Sequence, residues 1–274
     1  MGNTLYFRAW AGLGQELWRS DGTEAGTVAV KDLRPGSSAS TPTGLTAVGN
    51  TLYFAADGGT TGAELWKSDG TESGTQLVKD LNTATQPSTP SVLTVLGDTV
   101  FFVAEDGSSG RELWKSDGTS AGTVLVKDIH PGPLASNPTE LTAVGSNLFF
   151  VARYQVGALS YAAELWKSDG TELGTVLVKD IAPGPASSSP GELTEVGGML
   201  FFRALGELWK SDGTEAGTVL VKDINPTGAA NPQLLTRVGN WLFFAATDSA
   251  SGVELWRSDG TSNGTVRVKL YKGT

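Results

Sequence analysis

Acidic side chains supply most of the chemistry that could be drawn from this sequence, and they come as a set. Asp21, Asp69, Asp117, Asp169, Asp212 and Asp259 each follow a serine and precede Gly-Thr. A calcium loop needs several oxygen ligands converging within about a dozen residues, and each of these stretches offers one carboxylate. The structural role open to such an aspartate is to cap backbone N–H groups in a tight turn where glycine supplies positive φ. We expect the turn role and no metal site. Trp18, Trp66, Trp114, Trp166, Trp209 and Trp256 recur in the same way. Their faces suit sugars, but large side chains repeated on a middle strand are expected to pack between sheets. His130, the single histidine, stands beside Pro131 in a linker and is read as an exposed loop residue, with no partner constellation for a metal or a Ser/His/Asp triad. Any two of the 29 acids could meet as a glycosidase pair, and nothing in the sequence singles out a pair.

All of these residues belong to one repeated unit. The stretch Glu-Leu-Trp-Lys/Arg-Ser-Asp-Gly-Thr begins at Glu16, Glu64, Glu112, Glu164, Glu207 and Glu254, 43 to 52 residues apart. A segment like GNTLYFRA, from Gly2 to Ala9, precedes each copy and reads as a strand buried on both faces. In the second copy Glu64 and Trp66 share one side of the next strand and Leu65 and Lys67 the other. A β-branched segment follows, Thr123–Asp128 in the third copy, joined through the Ser-Asp-Gly-Thr turn as an antiparallel hairpin. Its terminal charges, such as Lys79 and Asp80, are read as solvated edge charges. A linker rich in Pro, Gly and Ser then leads to a short strand beginning at Leu45, Leu93, Leu141, Leu193 and Leu235.

Four antiparallel strands in a meander, repeated at about 40 to 50 residues, predict an all-β fold: a six-bladed β-propeller of four-stranded antiparallel blades. The short strand is placed innermost and the charged one outermost. Five copies of the short strand serve six copies of the rest, so the first blade is expected to lack its innermost strand, or to borrow one from a tail starting at Leu270. Residues 1–274 are read as one domain, with blades near 2–33, 45–81, 93–129, 141–181, 193–224 and 234–270.

Composition narrows the partners. The 274 residues carry a formal charge of −9 with bases interspersed among acids, which argues against a grip on nucleic acid. There is no cysteine, hence no disulfide and no thiolate site. No apolar run approaches the roughly 18 residues of a membrane span, and the opening MGNTLYF lacks the features of a signal peptide. No cofactor is expected.

The six copies, with Glu, Leu, Trp, Ser, Asp, Gly and Thr at identical offsets, resemble the ELWxxDGT repeat proteins of bacteria. The resemblance covers almost the whole chain. It implies a propeller-like repeat domain that is secreted or on the cell surface, and brings with it no established enzymatic activity to carry over.

The uniform turns and the variable connections fall at opposite ends of each blade. The variable ones read WAGLGQ, DGGTTG, EDGSSG, RYQVGALSYA, LG and DSASG. Loops free to differ on a rigid scaffold are where recognition usually resides, so this end is the expected functional face. There Arg8, Trp10, Arg153, Tyr154 and Tyr161 are the candidate ligand-binding residues, being of the types most often found as anchors. The resulting expectation is a non-enzymatic scaffold that presents this face to a protein or glycan partner. A multivalent lectin with similar pockets between blades is the alternative, and a hydrolase or lyase with a site at the channel mouth the third reading. The open edge of the first blade could also recruit a second chain.

Overall fold

A computed structural model describes residues 1–274 except 11, 13, 84–85, 158–159 and 270–274, and leaves out the side chain of 269. Among the described residues there are 23 strands and no helix. They fall into two compact units, Met1–Pro138 and Thr139–Thr274.

The first unit holds three sheets. Sheet 1 consists of β1 (Leu5–Trp10), β2 (Gln15–Ser20) and β3 (Val28–Lys31). Sheet 2 consists of β4 (Thr43–Val48), β5 (Thr51–Asp57), β6 (Ala63–Ser68) and β7 (Gln76–Lys79), and sheet 3 of β8 (Ser91–Leu96), β9 (Thr99–Glu105), β10 (Arg111–Ser116) and β11 (Val124–Lys127). In the second unit, sheet 4 is β12 (Thr139–Val144), β13 (Asn147–Gly157), β14 (Ser160–Ser168) and β15 (Val176–Lys179). Sheet 5 is β16 (Gly191–Val196), β17 (Met199–Ala204), β18 (Glu207–Ser211) and β19 (Val219–Lys222). Sheet 6 is β20 (Gln233–Val238), β21 (Trp241–Asp248), β22 (Gly252–Ser258) and β23 (Val266–Lys269).

Every sheet is an antiparallel meander in chain order, and the first has three strands. The tail from Leu270 lies outside the described residues. The leading strands of the other sheets start two residues earlier than the sequence suggests. Each carries a left-handed residue at its second position (Gly44, Val92, Glu140, Glu192, Leu234) and a register shift just after its start. A bulge of this kind breaks the alternation that a strand is recognised by.

One packing rule joins neighbouring sheets within each unit. The Leu of Glu-Leu-Trp and a Val of the last strand face the next sheet, where Leu, Phe and Ala of the second strand and the Trp receive them. Thus Leu65 and Val78 meet Val100, Phe102, Ala104 and Trp114. Leu208 and Val221 likewise meet Leu242, Phe244, Ala246 and Trp256. Leu65, Phe102, Leu208, Leu242 and Phe244 are fully buried, worth roughly 1.5–3 kcal/mol each. Trp66, Trp114, Trp209 and Trp256 thus pack between sheets as expected, Trp114 and Trp256 being buried and the other two half-buried.

The Ser-Asp-Gly-Thr turns close on themselves, and those of sheets 2, 3, 5 and 6 also lock onto the preceding sheet. In each, Asp Oδ1 accepts the backbone N–H and the hydroxyl of the following threonine, as in Asp117 with Thr119 at 2.8 and 2.7 Å. The aromatic side chain of the preceding sheet's second strand touches the turn glycine. A Cβ on Gly118 would stand 2.3 Å from Tyr53 Oη, and one on Gly70 2.2 Å from Tyr6 Oη. Lys67 Nζ donates to the Gly118 carbonyl at 2.8 Å. The terminal lysines do the same job: Lys31, Lys79, Lys179 and Lys222 donate to the carbonyls of Thr75, Thr123, Thr218 and Thr265 of the next sheet at 2.8–2.9 Å. Lys79 and Asp80 are thus not solvated edge charges. Both are half-buried, and the lysine ties two sheets together.

Gly22 provides the control for this contact. Its φ is +94°, close to the +87° of Gly118, but a Cβ there meets nothing within 4 Å. Gly22→Ala is expected to cost about 1–2 kcal/mol, the backbone penalty alone. Gly118→Ala should cost more, because Tyr53 must also move. Calorimetric unfolding of the two variants tests this, and equal losses would show that the aromatic contact contributes nothing.

Candidate functional site

The end of each sheet that carries the variable connections also carries the glutamate of Glu-Leu-Trp, half-buried in sheet 5 and buried in the others. In sheets 1 to 5 the linker that leaves the sheet folds back over it. Glu112 shows the arrangement. Its Oε1 accepts the Ser136 N–H at 2.7 Å, and its Oε2 accepts the Ser136 hydroxyl at 2.5 Å and the Ile129 N–H at 3.3 Å. Glu16 holds Leu33 and Ser40, and Glu64 holds Leu81 and Ser88, through the same three bonds. Glu164 holds Ile181 and Ser188 likewise. At Glu207 an alanine replaces the serine, so the backbone N–H groups of Ile224 and Ala230 remain, at 3.2 and 2.9 Å.

Glu64, Glu112 and Glu164 are fully buried. Burial pushes Glu112 up to about 7, against the opposing pull of the Ser136 and Ile129 hydrogen bonds, and nearby Asp128 pushes it further up. Glu64, Glu164 and Glu207 are raised for the same reason. Raised carboxylates usually point to catalytic acids. In Glu64, Glu112 and Glu164 both oxygens are engaged with the linker and closed to solvent, so these acids act on the fold. The sequence placed Glu64 on a strand face and gave no sign of its role. The available signal was a serine 24 residues after the glutamate in the first four copies.

The exposed aspartates of the turns behave oppositely. Hydrogen bonds from Thr119 hold Asp117 below the usual carboxylate range, and Asp21, Asp69, Asp212 and Asp259 are lowered for the same reason. Among the described residues no group of three or more His, Cys, Asp or Glu could hold a metal ion. His130 is buried, which corrects its reading as an exposed loop residue: the linker beside Glu112 packs down because the carboxylate holds it on both sides, at Ile129 and Ser136.

The candidate binding residues separate. In the first unit Arg8 and Trp10 are exposed on one side of β1, Trp10 at the strand's end. In the second unit Arg153, Tyr154 and Tyr161 share one hairpin, Arg153 opposite Ala163 and Tyr161 opposite Gln155. The stretch expected to be a loop is therefore mostly strand, β13 and β14 running on past the length of their counterparts. Arg153 and Tyr161 are exposed, whereas Tyr154 is half-buried and meets the Trp166 ring edge-on at 5.8 Å. Charged pairs that the sequence did not disclose brace other connections, Arg34 with Asp57 at 2.6 Å and Arg267 with Asp248 at 2.7 Å. Two clefts lie at the other end, beside the uniform turns. One of about 330 Å³ in the second unit includes Met199, Lys210, Asn240 and Asp259, and one of about 250 Å³ in the first includes Lys67, Asp69 and Gln76.

No family model matches this chain, and no curated protein matches it. Solved structures do. A puromycin hydrolase is similar over 99% of this chain and 44% of its own, at 15% identity and a TM-score of 0.50. One of two prolyl endopeptidases is similar over 99% of this chain and 41% of its own, at 12% identity and a TM-score of 0.56. Prolyl oligopeptidase B from Galerina marginata is similar over 83% of this chain and 37% of its own, at 11% identity and a TM-score of 0.51. The likeness establishes an all-β, propeller-like fold, and the chain spans less than half the length of these proteins. The similar parts are propeller domains, which are not the catalytic domains of those peptidases. The expectation of a non-enzymatic scaffold presenting a variable loop face to a protein or glycan partner is corrected accordingly, since these three structures of similar fold are peptidases.

Because Glu112 is raised, its share of stability is fully present below about pH 4.5 and is lost as pH rises through about 7, by about 3 kcal/mol in all. Glu112→Gln turns an N–H against an N–H of the linker and is expected to lower stability by about 1–3 kcal/mol. It also removes this site's part of the slope between pH 5 and 8. Urea unfolding at several pH values checks both, and an unchanged slope in the variant would be the contrary result.

Proposed function

We propose that this chain is a propeller module of the kind that accompanies a hydrolase domain, a non-catalytic part that governs which peptides reach a separate catalytic centre. The observation that carries this reading is the extent of the likeness. It spans 99% of this chain but 41–44% of the puromycin hydrolase and the prolyl endopeptidase. For the prolyl endopeptidases, inter-domain dynamics have a role in catalysis and specificity.

In this reading the six sheets serve as six blades of one domain, the first blade working without an inner strand. The raised acids support it by being sealed under the linkers, which leaves bond cleavage to another domain. Arg8, Trp10, Arg153 and Tyr161, exposed where the connections vary, are the proposed contacts for a peptide, and Tyr154 positions its hairpin against Trp166. Membership of the ELWxxDGT repeat proteins, and a place outside the cell, belong to the same proposal and rest on the six copies.

The test is direct. The purified chain should leave prolyl-peptide anilides uncleaved while short prolyl peptides change its tryptophan fluorescence in a saturable way. Trp10→Phe and Tyr161→Ala should each weaken that binding by roughly tenfold, or about 1.4 kcal/mol. Turnover by the chain alone, or no response to any peptide, would overturn the proposal.

A further inference from the structure

Four times within the two units, one sheet lays the same face on the opposite face of the next. The face that looks forward carries an aromatic residue of the second strand, the Leu of Glu-Leu-Trp and a Val of the last strand. Those leucines, Leu17, Leu65, Leu165 and Leu208, are all fully buried. Sheet 6 carries the same set on its forward face, Phe243, Leu255 and Val268, with Val238 on its first strand. Here Leu255 is 42% exposed and Val238 55% exposed. Its counterpart in sheet 5, Val196, is buried.

Sheet 1 shows the matching half. The receiving face of a sheet is made by Leu, Phe and Ala of the second strand with the Trp, and in sheet 2 Leu52, Phe54 and Ala56 are buried in this role. The equivalents in sheet 1 are Leu5, Phe7, Ala9 and Trp18, and Leu5 is 64% exposed. The turn glycine tells the same story independently. Gly70, Gly118, Gly213 and Gly260 each have an aromatic tip from the preceding sheet within 3.1 Å of where a Cβ would be, whereas Gly22 has nothing within 4 Å. Gly22 is an unfilled socket. Phe243, the equivalent of the Phe201 that meets Gly260, is half-buried and has no described glycine to meet. Arg257 stands where Lys67 reaches the next turn's carbonyl, and its guanidinium lies over its own Trp241 ring at 4.5 Å.

We propose that the forward face of sheet 6 docks on the receiving face of sheet 1 of a second copy of this chain, by the contact that already joins successive sheets. The occupant follows from the repeat: the open face of sheet 6 is built to the pattern of faces that accept a sheet of this sequence, and sheet 1 offers that surface with its socket unfilled. Because the two faces differ, the association is head-to-tail, each chain offering one face of each kind. It extends beyond the proposed function and does not depend on it.

Sedimentation velocity over a hundredfold range of concentration reads this out. The average mass of the full chain should rise with concentration. Leu5→Asp and Leu255→Asp change exposed side chains and should each give a folded, single-chain species by circular dichroism and mass. Mixed in equal amounts, they should form a two-chain species, because each retains the face that the other has lost. Val238→Asp replaces Leu255→Asp should that variant fail to fold. A wild-type mass fixed at one chain, as when a chain covers its own faces, would overturn the proposal. So would a mixture of the folded variants that stays at one chain, or variants that associate as the wild type does.

Discussion

The structure depends on a carboxylate holding a linker. A propeller-like sheet has to release its last strand at one edge and restart the chain at the first strand of the next sheet, and the connecting segment is rich in Pro, Gly and Ser. Such a segment has no ladder of its own to satisfy its backbone. Glu112 supplies acceptors for it at Ile129 and Ser136, and the same geometry recurs at Glu16, Glu64 and Glu164. The linker thereby returns against the sheet it has just left. The cost is a desolvated acid, which shows as the raised affinity of Glu112 for a proton. Three hydrogen bonds to one buried carboxylate offset part of that cost, because charge-assisted bonds are stronger than neutral ones.

Much of this architecture is legible in the sequence. The period fixes six sheets, the β-branched and aromatic runs fix the strands, and Asp-Gly-Thr fixes the turns by a mechanism that the Asp117–Thr119 bonds reproduce. The three-stranded first sheet follows from the short strand occurring five times where the other segments occur six times. What the sequence hides is contact between distant residues. Glu64 and Ser88 are 24 residues apart on a strand and in a loop, and neither looks unusual where it stands. Lys79 resembles an edge charge because its acceptor, the Thr123 carbonyl, belongs to the next sheet. The ten residues from Arg153 read as a loop for a different reason: a glycine and a mixed polar composition mask an extended hairpin, in which Tyr154 is drawn in by Trp166.

The candidate site was the least legible part. Residue types common in binding anchors were found at the variable end, and the structure exposes Arg8, Trp10, Arg153 and Tyr161 there. Yet the strongest electrostatic perturbation at that end belongs to acids that no substrate can touch. Perturbed protonation marks functional sites only when the group is also accessible, and here burial produces the perturbation and removes the access together.

The likeness to peptidase propellers at 11–15% identity has a physical reading. Twisted antiparallel sheets of about four strands stack face to face in a limited number of ways, and alternation of apolar residues suffices to produce them. The glutamate clasp, the turn glycine touched by an aromatic tip, and the lysine on the next sheet's carbonyl are one solution to that stacking, the clasp shown at five glutamates and the other two contacts four times each among the described residues. The stacking alone accounts for the likeness in fold, and fold alone does not transmit chemistry. What distinguishes this chain must therefore lie where the copies differ. That means the connections beyond the glutamates and the two end sheets, whose outer faces have the composition of an interior and the exposure of a surface.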